Sequence, residues 1–316
     1  MEEEPLYFPY LYGRRAERNA LIDVVNDLGP LQKVHPIIEP YSAADDLTKL
    51  LDTYRSAGTK LHMVINPTRG ALQTGSERAA WTAAVAGYVA QPALITPVLH
   101  VFGYTSGTDI ASFLAAYPSR DVALVVLQGG LSPMSVAAAV GSRKVRVFVG
   151  PQAAVADYAT VMPTSEIIPL VVRFPVMVNA SYPTETAFSL DPKSYGSAGF
   201  SDFSLIDPKP PRLGGGGAGA GAVTLHMTYQ DATTKELKIQ HFLSTDQVQG
   251  TPPNSLKLFQ AIEKMRRQQA STPGRFLPTV GYRTLEGYFT SGHRTNLEKS
   301  KQQQISHHLA TVANTL

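Results

Sequence analysis

Residues 122–150 of the chain read VALVVLQGGLSPMSVAAAVGSRKVRVFVG. The two ends of this stretch, Val122–Gly130 and Val145–Gly150, are short and almost uninterrupted apolar runs. Between them, Pro133–Val140 is typical of a short helix. Strands that are apolar throughout are typical of parallel sheets, which helices cover on both faces. The stretch therefore predicts a strand–helix–strand unit of a parallel α/β fold.

The same alternation of apolar runs and helical segments continues in both directions from this unit. Four further runs are Val34–Pro40, Leu61–Pro67, Leu94–Val101 and Ile167–Phe174. No glycine-rich phosphate loop follows the first run, so the usual sign of a nucleotide-binding open sheet is missing. Polar residues instead stand near the ends of the runs, as they do on the catalytic face of α/β barrels. We therefore predict an α/β fold with a TIM-barrel-like parallel barrel.

The end of the chain departs from a plain eight-fold repeat. Ser201–Ile206 would be the seventh strand, and the alternating runs Val223–Tyr229 and Leu237–Ser244 predict a late β-hairpin. In the last helix, His308 is expected to face inward and His307 to face solvent. We expect one domain over residues 1–316, with three parts besides the barrel: an N-terminal helical cap (1–32), a flexible glycine-rich loop (208–222) and C-terminal helices (251–316).

Composition limits the class of protein and the kinds of site. Of the 316 residues, 43% are apolar and 17% charged, which is typical of a globular chain with a sizeable core. The absence of cysteine excludes disulfides, a thiolate nucleophile and cysteine-ligated metals. The first residues are acidic and lack the apolar stretch of a signal peptide, and no run has the length of a membrane helix. These features predict a cytoplasmic protein with no membrane segment.

Two carboxylates stand at the ends of predicted barrel strands. Glu39 ends the first strand and Asp202 lies in the seventh, so both are expected at one mouth of the barrel. With Asn66, His100 and Arg173 they form a candidate catalytic group. Two carboxylates can hold Mg²⁺ or Mn²⁺ through oxygen ligands, or act as a general acid and base. The alternative is that both carboxylates pair with arginines or cap helices.

The late hairpin and the last helix supply a second group of polar residues. His226, His241 and His308 are expected to converge, and with Asn66 and Ser201 they are candidate substrate-binding residues. The histidine spacing matches no zinc motif. The alternative for each histidine is a buried ring that is satisfied by a hydrogen bond. The basic residues near the end of the chain are typical of a solvated helix face and are not by themselves evidence for nucleic-acid binding. Nucleic acid as a partner therefore stays open.

Several motifs along the chain resemble those of a known family. YFPYLYG (7–13), HPIIEP (35–40), SDFS (201–204), HMTY (226–229) and ISHHL (305–309) follow one another in the order of an uncharacterised bacterial family whose name is a locus tag. The chain is more distantly similar to the family called "beta protein". The resemblance implies a TIM-barrel-like fold. It also implies a gene beside a small nuclease-like partner in defence-associated neighbourhoods.

Two functions follow as expectations. The first is a component of a bacterial defence-associated (anti-phage) module that acts with the nuclease-like partner protein. The second is a metal-dependent barrel hydrolase or phosphodiesterase that acts on a nucleotide or nucleic acid. Barrels host many unrelated chemistries, so the fold alone does not separate the two. An exposed apolar patch on the last two helices would favour the first function.

Overall fold

The computed structural model describes residues 6–128, 130–195, 198–210 and 220–316. The strands of these residues, numbered in chain order, are β1 (Tyr7–Leu11), β2 (Ile37–Ile38), β3 (Leu61–Val64), β4 (Ile95–His100), β5 (Ala123–Val126), β6 (Arg146–Val149), β7 (Glu166–Val171), β8 (Glu185–Ser189), β9 (Phe200–Asp202), β10 (Thr224–Gln230) and β11 (Leu237–Leu243). The helices are α1 (Arg15–Leu28), α2 (Asp45–Ala57), α3 (Gly75–Val89), α4 (Gly107–Ala116), α5 (Pro133–Val140), α6 (Val155–Val161), α7 (Asn254–Ser271), α8 (Val280–Thr290) and α9 (Leu297–Thr315).

Eight parallel strands close into a barrel in the order β1-β2-β3-β4-β5-β6-β7-β9. The predicted TIM-barrel-like α/β fold is therefore confirmed. The strands are short and buried, as the valine-rich runs indicated. Helices α2 to α6 follow β2 to β6 in turn and cover the sheet with their apolar faces; Leu47, Leu50 and Leu51 of α2 are buried in this way.

The first barrel strand is one that the sequence did not predict. The segment YFPYLYG contains β1, which lies between β2 and β9 and closes the barrel. The segment was predicted as part of the N-terminal helical cap (1–32), and Pro9, which has no N–H to donate to the ladder, is unusual in a barrel strand. As a consequence, Glu39 follows the second strand of the barrel, and Asp202 ends the eighth.

The register of the strands decides which side chains point into the barrel. Phe8 makes edge contacts with His62 of β3 and Phe148 of β6, at ring-centroid distances of 5.4 and 5.2 Å. Only an inward-pointing side chain of β1 can reach two strands that do not neighbour it. Because side chains alternate along a strand, Phe8 and Tyr10 face the interior, and Tyr7 and Pro9 face outward.

Contacts divide the chain into two compact units, which we describe separately in place of the single predicted domain. The first unit contains the barrel (1–14, 30–172 and 195–203), and the second contains 15–29, 173–194 and 204–316. The second unit holds α1, α7, α8, α9 and a three-stranded sheet of order β10-β11-β8. The predicted hairpin is thus present as β10 and β11, but its strands belong to this sheet and not to the barrel. Helix α1 packs on α8 and α9, while its expected role as a barrel cap stays a prediction.

Helix α9 is the central element of the second unit. Residues 302–312 are all buried, including three consecutive glutamines. Their amides and imidazoles cover the free edge of β10: Gln304 Oε1 accepts from the His226 N–H at 2.7 Å, and His307 Nε2 lies 2.7 Å from the Thr228 carbonyl oxygen. Covering an edge strand in this way satisfies backbone groups that would otherwise be open to pairing. The expectation that His307 faces solvent is wrong, because α9 is surrounded on all sides.

Two further expectations concern other parts of the chain. Most of the predicted glycine-rich loop, residues 211–219, lies outside the described residues. No helix in the described ranges combines the length and apolarity that crossing a membrane requires.

Candidate functional site

Glu39 lies inside the barrel at the carboxyl end of β2, on the same face as Tyr10. Its backbone N–H continues the ladder to the Leu11 carbonyl, and its side chain is fully buried. Oε2 accepts a hydrogen bond from the Tyr10 hydroxyl at 2.5 Å, and Oε1 accepts one from Arg69 Nε at 2.9 Å. Burial would raise the pKa of Glu39, but His100, Arg69 and the Tyr10 hydroxyl together hold it below its ordinary value. Glu39 is therefore an ionised carboxylate with a partner on each oxygen.

His100 ends β4 and also faces the barrel interior. Thr96 pairs in register with the inward-facing His62. Because side chains alternate along a strand, His100, four residues after Thr96, points to the same side. Its Nδ1 lies 3.7 Å from Glu39 Oε1 and has no hydrogen-bond partner within the described residues. The contact is electrostatic at this distance, since a hydrogen bond needs a shorter one. A carboxylate beside Nδ1 favours the tautomer that carries its proton there, which leaves a lone pair on Nε2.

An aromatic ladder continues from His100 to the surface. The ring of Phe102 stacks on His100 with centroids 3.9 Å apart, and Tyr104 stacks on Phe102 at 5.2 Å. Tyr104 is 74% exposed. The loop after β4 thus presents an aromatic face to solvent directly beyond the buried imidazole.

Arg69 lies in the loop after β3. The hydrogen bond to Glu39 occupies its Nε, and its side chain remains 27% exposed. The structure gives its two terminal amino groups no hydrogen bond to any described residue. Gly70 fixes the path of this loop: its φ is +60°, and a Cβ there would lie 2.1 Å from the Tyr41 carbonyl oxygen. Only glycine allows the loops after β2 and β3 to approach this closely.

Asn66 was predicted as a substrate-binding residue at the same mouth. Its Nδ2 donates to the His100 carbonyl oxygen, and its Oδ1 accepts from the His100 N–H, both at 2.9 Å. The amide therefore joins the ends of β3 and β4. Its polar atoms are used in holding the His100 backbone, so Asn66 positions His100, and the expectation that it binds substrate finds no support.

Asp202 is the principal correction to the predicted site. It pairs in register with Pro9 of β1 and Val171 of β7, so it points to the outer face of the barrel sheet. There its Oδ1 accepts a hydrogen bond from the outward-facing Tyr7 at 2.7 Å. Glu39 points inward, so the two carboxylates stand on opposite faces of the sheet. The prediction that they share a Mg²⁺ or Mn²⁺ ion or act as an acid–base pair is wrong.

Two other predicted residues have structural contacts. Ser201 is fully buried, and its hydroxyl donates to the Phe8 carbonyl oxygen at 2.6 Å, which ties β9 to β1. Arg173 groups with the second unit, where its Nη1 donates to the Phe188 carbonyl oxygen at 3.4 Å. In the described ranges, no group of three or more His, Asp and Glu side chains has the arrangement of a metal site.

The three histidines of the second unit converge only in part. His226 and His241 are cross-strand neighbours on β10 and β11, and their Nδ1 atoms are 2.7 Å apart. His308 does not join them. Its Nδ1 bonds the Thr228 hydroxyl at 2.8 Å, and its ring packs on Phe188. The prediction of a three-histidine site is therefore wrong for His308.

Sequence reasoning missed Tyr10, Arg69 and the aromatic pair Phe102 and Tyr104. Tyr10 lies on the strand that was not predicted, so its contact with Glu39 was not predicted either. Arg69 follows Pro67 in the segment NPTRG, where a basic residue in a loop after a barrel strand was a usable signal. The stacking of three rings spaced two residues apart needed the loop conformation.

The comparisons with known proteins add little to this geometry. No family model matches the chain, and no curated protein matches it. Among the solved structures that match, the crystal structure of KD(P)GA from T.tenax is 13% identical; the match covers 64% of this chain and 69% of that chain, with a TM-score of 0.39. A likeness this weak carries no argument, and the barrel rests on its own strand pairing.

Proposed function

We propose that the first unit is a hydrolase of phosphodiesters in nucleotides or single-stranded nucleic acid. The single observation that carries the proposal is the His100 imidazole, buried 3.7 Å from the ionised Glu39 at the carboxyl ends of the barrel strands. Active sites of α/β barrels are built at this end. An imidazole oriented by a carboxylate is a common general base.

In the proposed reaction, His100 Nε2 accepts a proton from a water molecule. The water oxygen forms a bond to phosphorus, and the bond from phosphorus to the leaving oxygen breaks. His100 then returns the proton to the leaving oxygen, so its charge is restored at the end of the cycle. Glu39 orients the imidazole and stabilises its protonated form, so it is a positioning residue and not a nucleophile.

The substrate class comes from the two groups that flank His100. The guanidinium of Arg69 has two terminal amino groups available, and a planar guanidinium matches the geometry of a phosphate oxygen pair. The exposed ring of Tyr104 offers a face on which a base can stack. Together they favour a ligand that carries both a phosphate and a base.

The test is hydrolysis of bis-p-nitrophenyl phosphate and of a short single-stranded oligonucleotide by the full-length protein. We expect activity that falls by about 100-fold or more in His100→Asn, measured at a temperature at which circular dichroism shows that the variant is folded. Met134→Ala, at an exposed residue of α5, is the matched control and should keep full activity. A wild-type protein that is inert on both substrates, or a His100→Asn variant with full activity, would contradict the proposal.

The partner-based function that the family resemblance implies stays a prediction. The exposed apolar patch that would favour it does not occur: on α7, α8 and α9, Leu297 is the one large apolar residue that is exposed among the described residues. Co-expression with the product of the neighbouring gene tests this function. A stoichiometric complex would support it, and a lone monomer beside that partner would count against it.

A further inference from the structure

The second unit contains a cavity that plays no part in the proposed hydrolysis. Its volume is about 310 Å³, within the range of small-molecule sites. Apolar side chains, among them Phe174, Val223 and Ile305, form part of its wall, and polar side chains, Asp207 and Lys301 included, form the rest. Val176 and Leu297 line it as well and are 53% and 41% exposed, so the cavity opens to solvent past an apolar rim.

Among the polar side chains of the wall, one imidazole has a ring nitrogen that the protein leaves open. His226 lines the cavity, and no hydrogen bond within the described residues reaches its Nε2. Its ring is held between Tyr182, at a centroid distance of 4.6 Å, and Phe174, at 5.0 Å. The orientation of the imidazole is therefore fixed by packing before any ligand enters.

A hydrogen-bonded chain behind His226 determines what its Nε2 can do. The Nδ1 atoms of His226 and His241 are 2.7 Å apart, so one of them carries a proton and the other accepts it. His241 Nε2 lies 2.9 Å from the Thr186 hydroxyl, which can donate or accept. Burial lowers the pKa of His226 to about 3 and that of His241 to about 4, so both rings are neutral at physiological pH.

The chain has two neutral arrangements. In one, His226 donates through Nδ1, His241 donates to Thr186, and His226 Nε2 is left as an acceptor. In the other, Thr186 donates to His241, His241 donates to His226, and His226 Nε2 is left as a donor. The polar end of the cavity can therefore change from acceptor to donor without gaining a charge.

We propose that this cavity binds a small neutral aromatic heterocycle whose ring edge hydrogen-bonds to His226 Nε2, with the Thr186–His241–His226 chain selecting the matching tautomer. The aromatic and aliphatic part of the wall, around Phe174 and Tyr182, accounts for the aromatic body of the ligand, and the neutral imidazole accounts for its polar edge. The site stands on residues of the second unit alone and does not depend on the proposed hydrolysis.

The test uses indole, which has one N–H donor, and 1-methylindole, which has none. In titrations of the full-length protein followed by NMR, indole should bind once per chain and shift the ring resonances of His226 and His241. His307 is buried in the same unit away from the cavity lining, so its resonances should stay unchanged as an internal control. The loss of one hydrogen bond should weaken 1-methylindole about tenfold.

A variant tests directly whether the imidazole contributes to binding. His226→Phe keeps an aromatic ring in the wall and removes Nε2, so indole should bind it as weakly as 1-methylindole does, while 1-methylindole is unaffected. If His226→Phe fails to fold, the wild-type comparison of the two probes still decides. Equal affinity for the two probes, no binding of either, or shifts that spare His226 would overturn the proposal.

Discussion

Glu39 remains ionised although its side chain is fully buried, because each of its oxygens has a hydrogen-bond donor and a cation lies beside it. A buried carboxylate without such partners would take up a proton or destabilise the fold. The same contacts keep Glu39 from attacking a substrate. At the residue scale, the site therefore separates two roles: a fixed carboxylate orients, and the neighbouring His100 transfers protons.

Removing the Glu39 carboxylate should destabilise the barrel. Glu39→Ala leaves the Arg69 and Tyr10 donors without their acceptor, and we expect it to lower the free energy of unfolding by about 3–5 kcal/mol. Urea denaturation measures the change. Glu263→Ala, which removes an exposed i,i+4 pair with Arg267, is the matched control and should change stability little. Equal effects of the two substitutions would show that the Glu39 contacts contribute nothing.

The exposed ring of Tyr104 gives a prediction about substrate binding. Stacking of a base on an aromatic side chain contributes about 1–3 kcal/mol. In Tyr104→Ala we therefore expect the KM for the oligonucleotide to rise by about 5-fold or more, with kcat unchanged. Steady-state kinetics separate the two constants. A fall in kcat at constant KM would place Tyr104 in the chemistry and contradict a stacking role.

At the residue scale, sequence reasoning identified Glu39 and His100 because polar residues stand out at the ends of apolar strands. It failed for Asp202 because the face of a strand residue depends on register, and the register of β9 is set by the unpredicted strand β1. A shift of one residue reverses every side chain of a strand. Composition and spacing carry no information about that shift.

At the element scale, α9 shows why helical spacing misled the assignment of His307. A helix on a protein surface has a wet face, and residues about 100° apart then differ in exposure. Helix α9 instead contacts α1, α7, α8 and β10, so every face is buried. His307 donates through Nε2 to the Thr228 carbonyl and therefore accepts at Nδ1 from the Thr279 hydroxyl. Both ring nitrogens are used in joining three elements.

The crossing of α8 and α9 gives a prediction with a control on the same helix. A Cβ at Gly281 would lie 2.1 Å from the Gln303 carbonyl oxygen, so Gly281→Ala should separate the helices and lower the free energy of unfolding by about 1–3 kcal/mol. Gly287 has nothing within 4 Å of a Cβ, and Gly287→Ala should stabilise the protein by about 0.4–1 kcal/mol. Urea denaturation of both variants measures the difference. Two changes of the same sign would contradict the close crossing.

At the scale of the whole molecule, buried histidines whose pKa is lowered make stability depend on pH. Burial lowers the pKa of His307 to about 4 and that of His308 to about 3, and His226 and His241 have similarly low values. In the unfolded chain the pKa is about 6.5, so as pH falls below that value the unfolded state binds protons that the folded state excludes. The stability is complete above pH about 6.5 and falls as pH decreases towards about 4.

We therefore expect each of the fully buried rings to reduce the free energy of unfolding by about 2 kcal/mol between pH 7 and pH 5. His307→Gln keeps a donor for the Thr228 carbonyl and removes the titrating group. The number of protons taken up on unfolding should therefore fall by about one, which makes the pH dependence of the free energy of unfolding shallower. His293→Gln, at an exposed residue, should leave it unchanged. Urea denaturation across this pH range measures the slope. A slope that is the same in all three proteins would mean that His307 titrates normally when folded.

The barrel as a whole was predictable because its strands are apolar on both faces and alternate with helices, which is a pattern of local sequence. The strand containing Pro9 was not, since closure of the barrel overrides the local cost of a proline in the ladder. The division into two units also escaped prediction: the second unit is assembled from three separate segments of the chain, and local sequence does not show which segments pack together.

The central claim is that Glu39 orients the His100 imidazole through Nδ1. The most direct measurement is the ¹⁵N NMR spectrum of the His100 ring, assigned by comparison with His100→Asn, at neutral pH. The account predicts the tautomer with its proton on Nδ1, beside Glu39, and a lone pair on Nε2. It also predicts that Glu39→Gln weakens this preference. A ring protonated on both nitrogens would indicate a buried ion pair, and a proton on Nε2 alone would leave no base at the barrel mouth; either result would contradict the account.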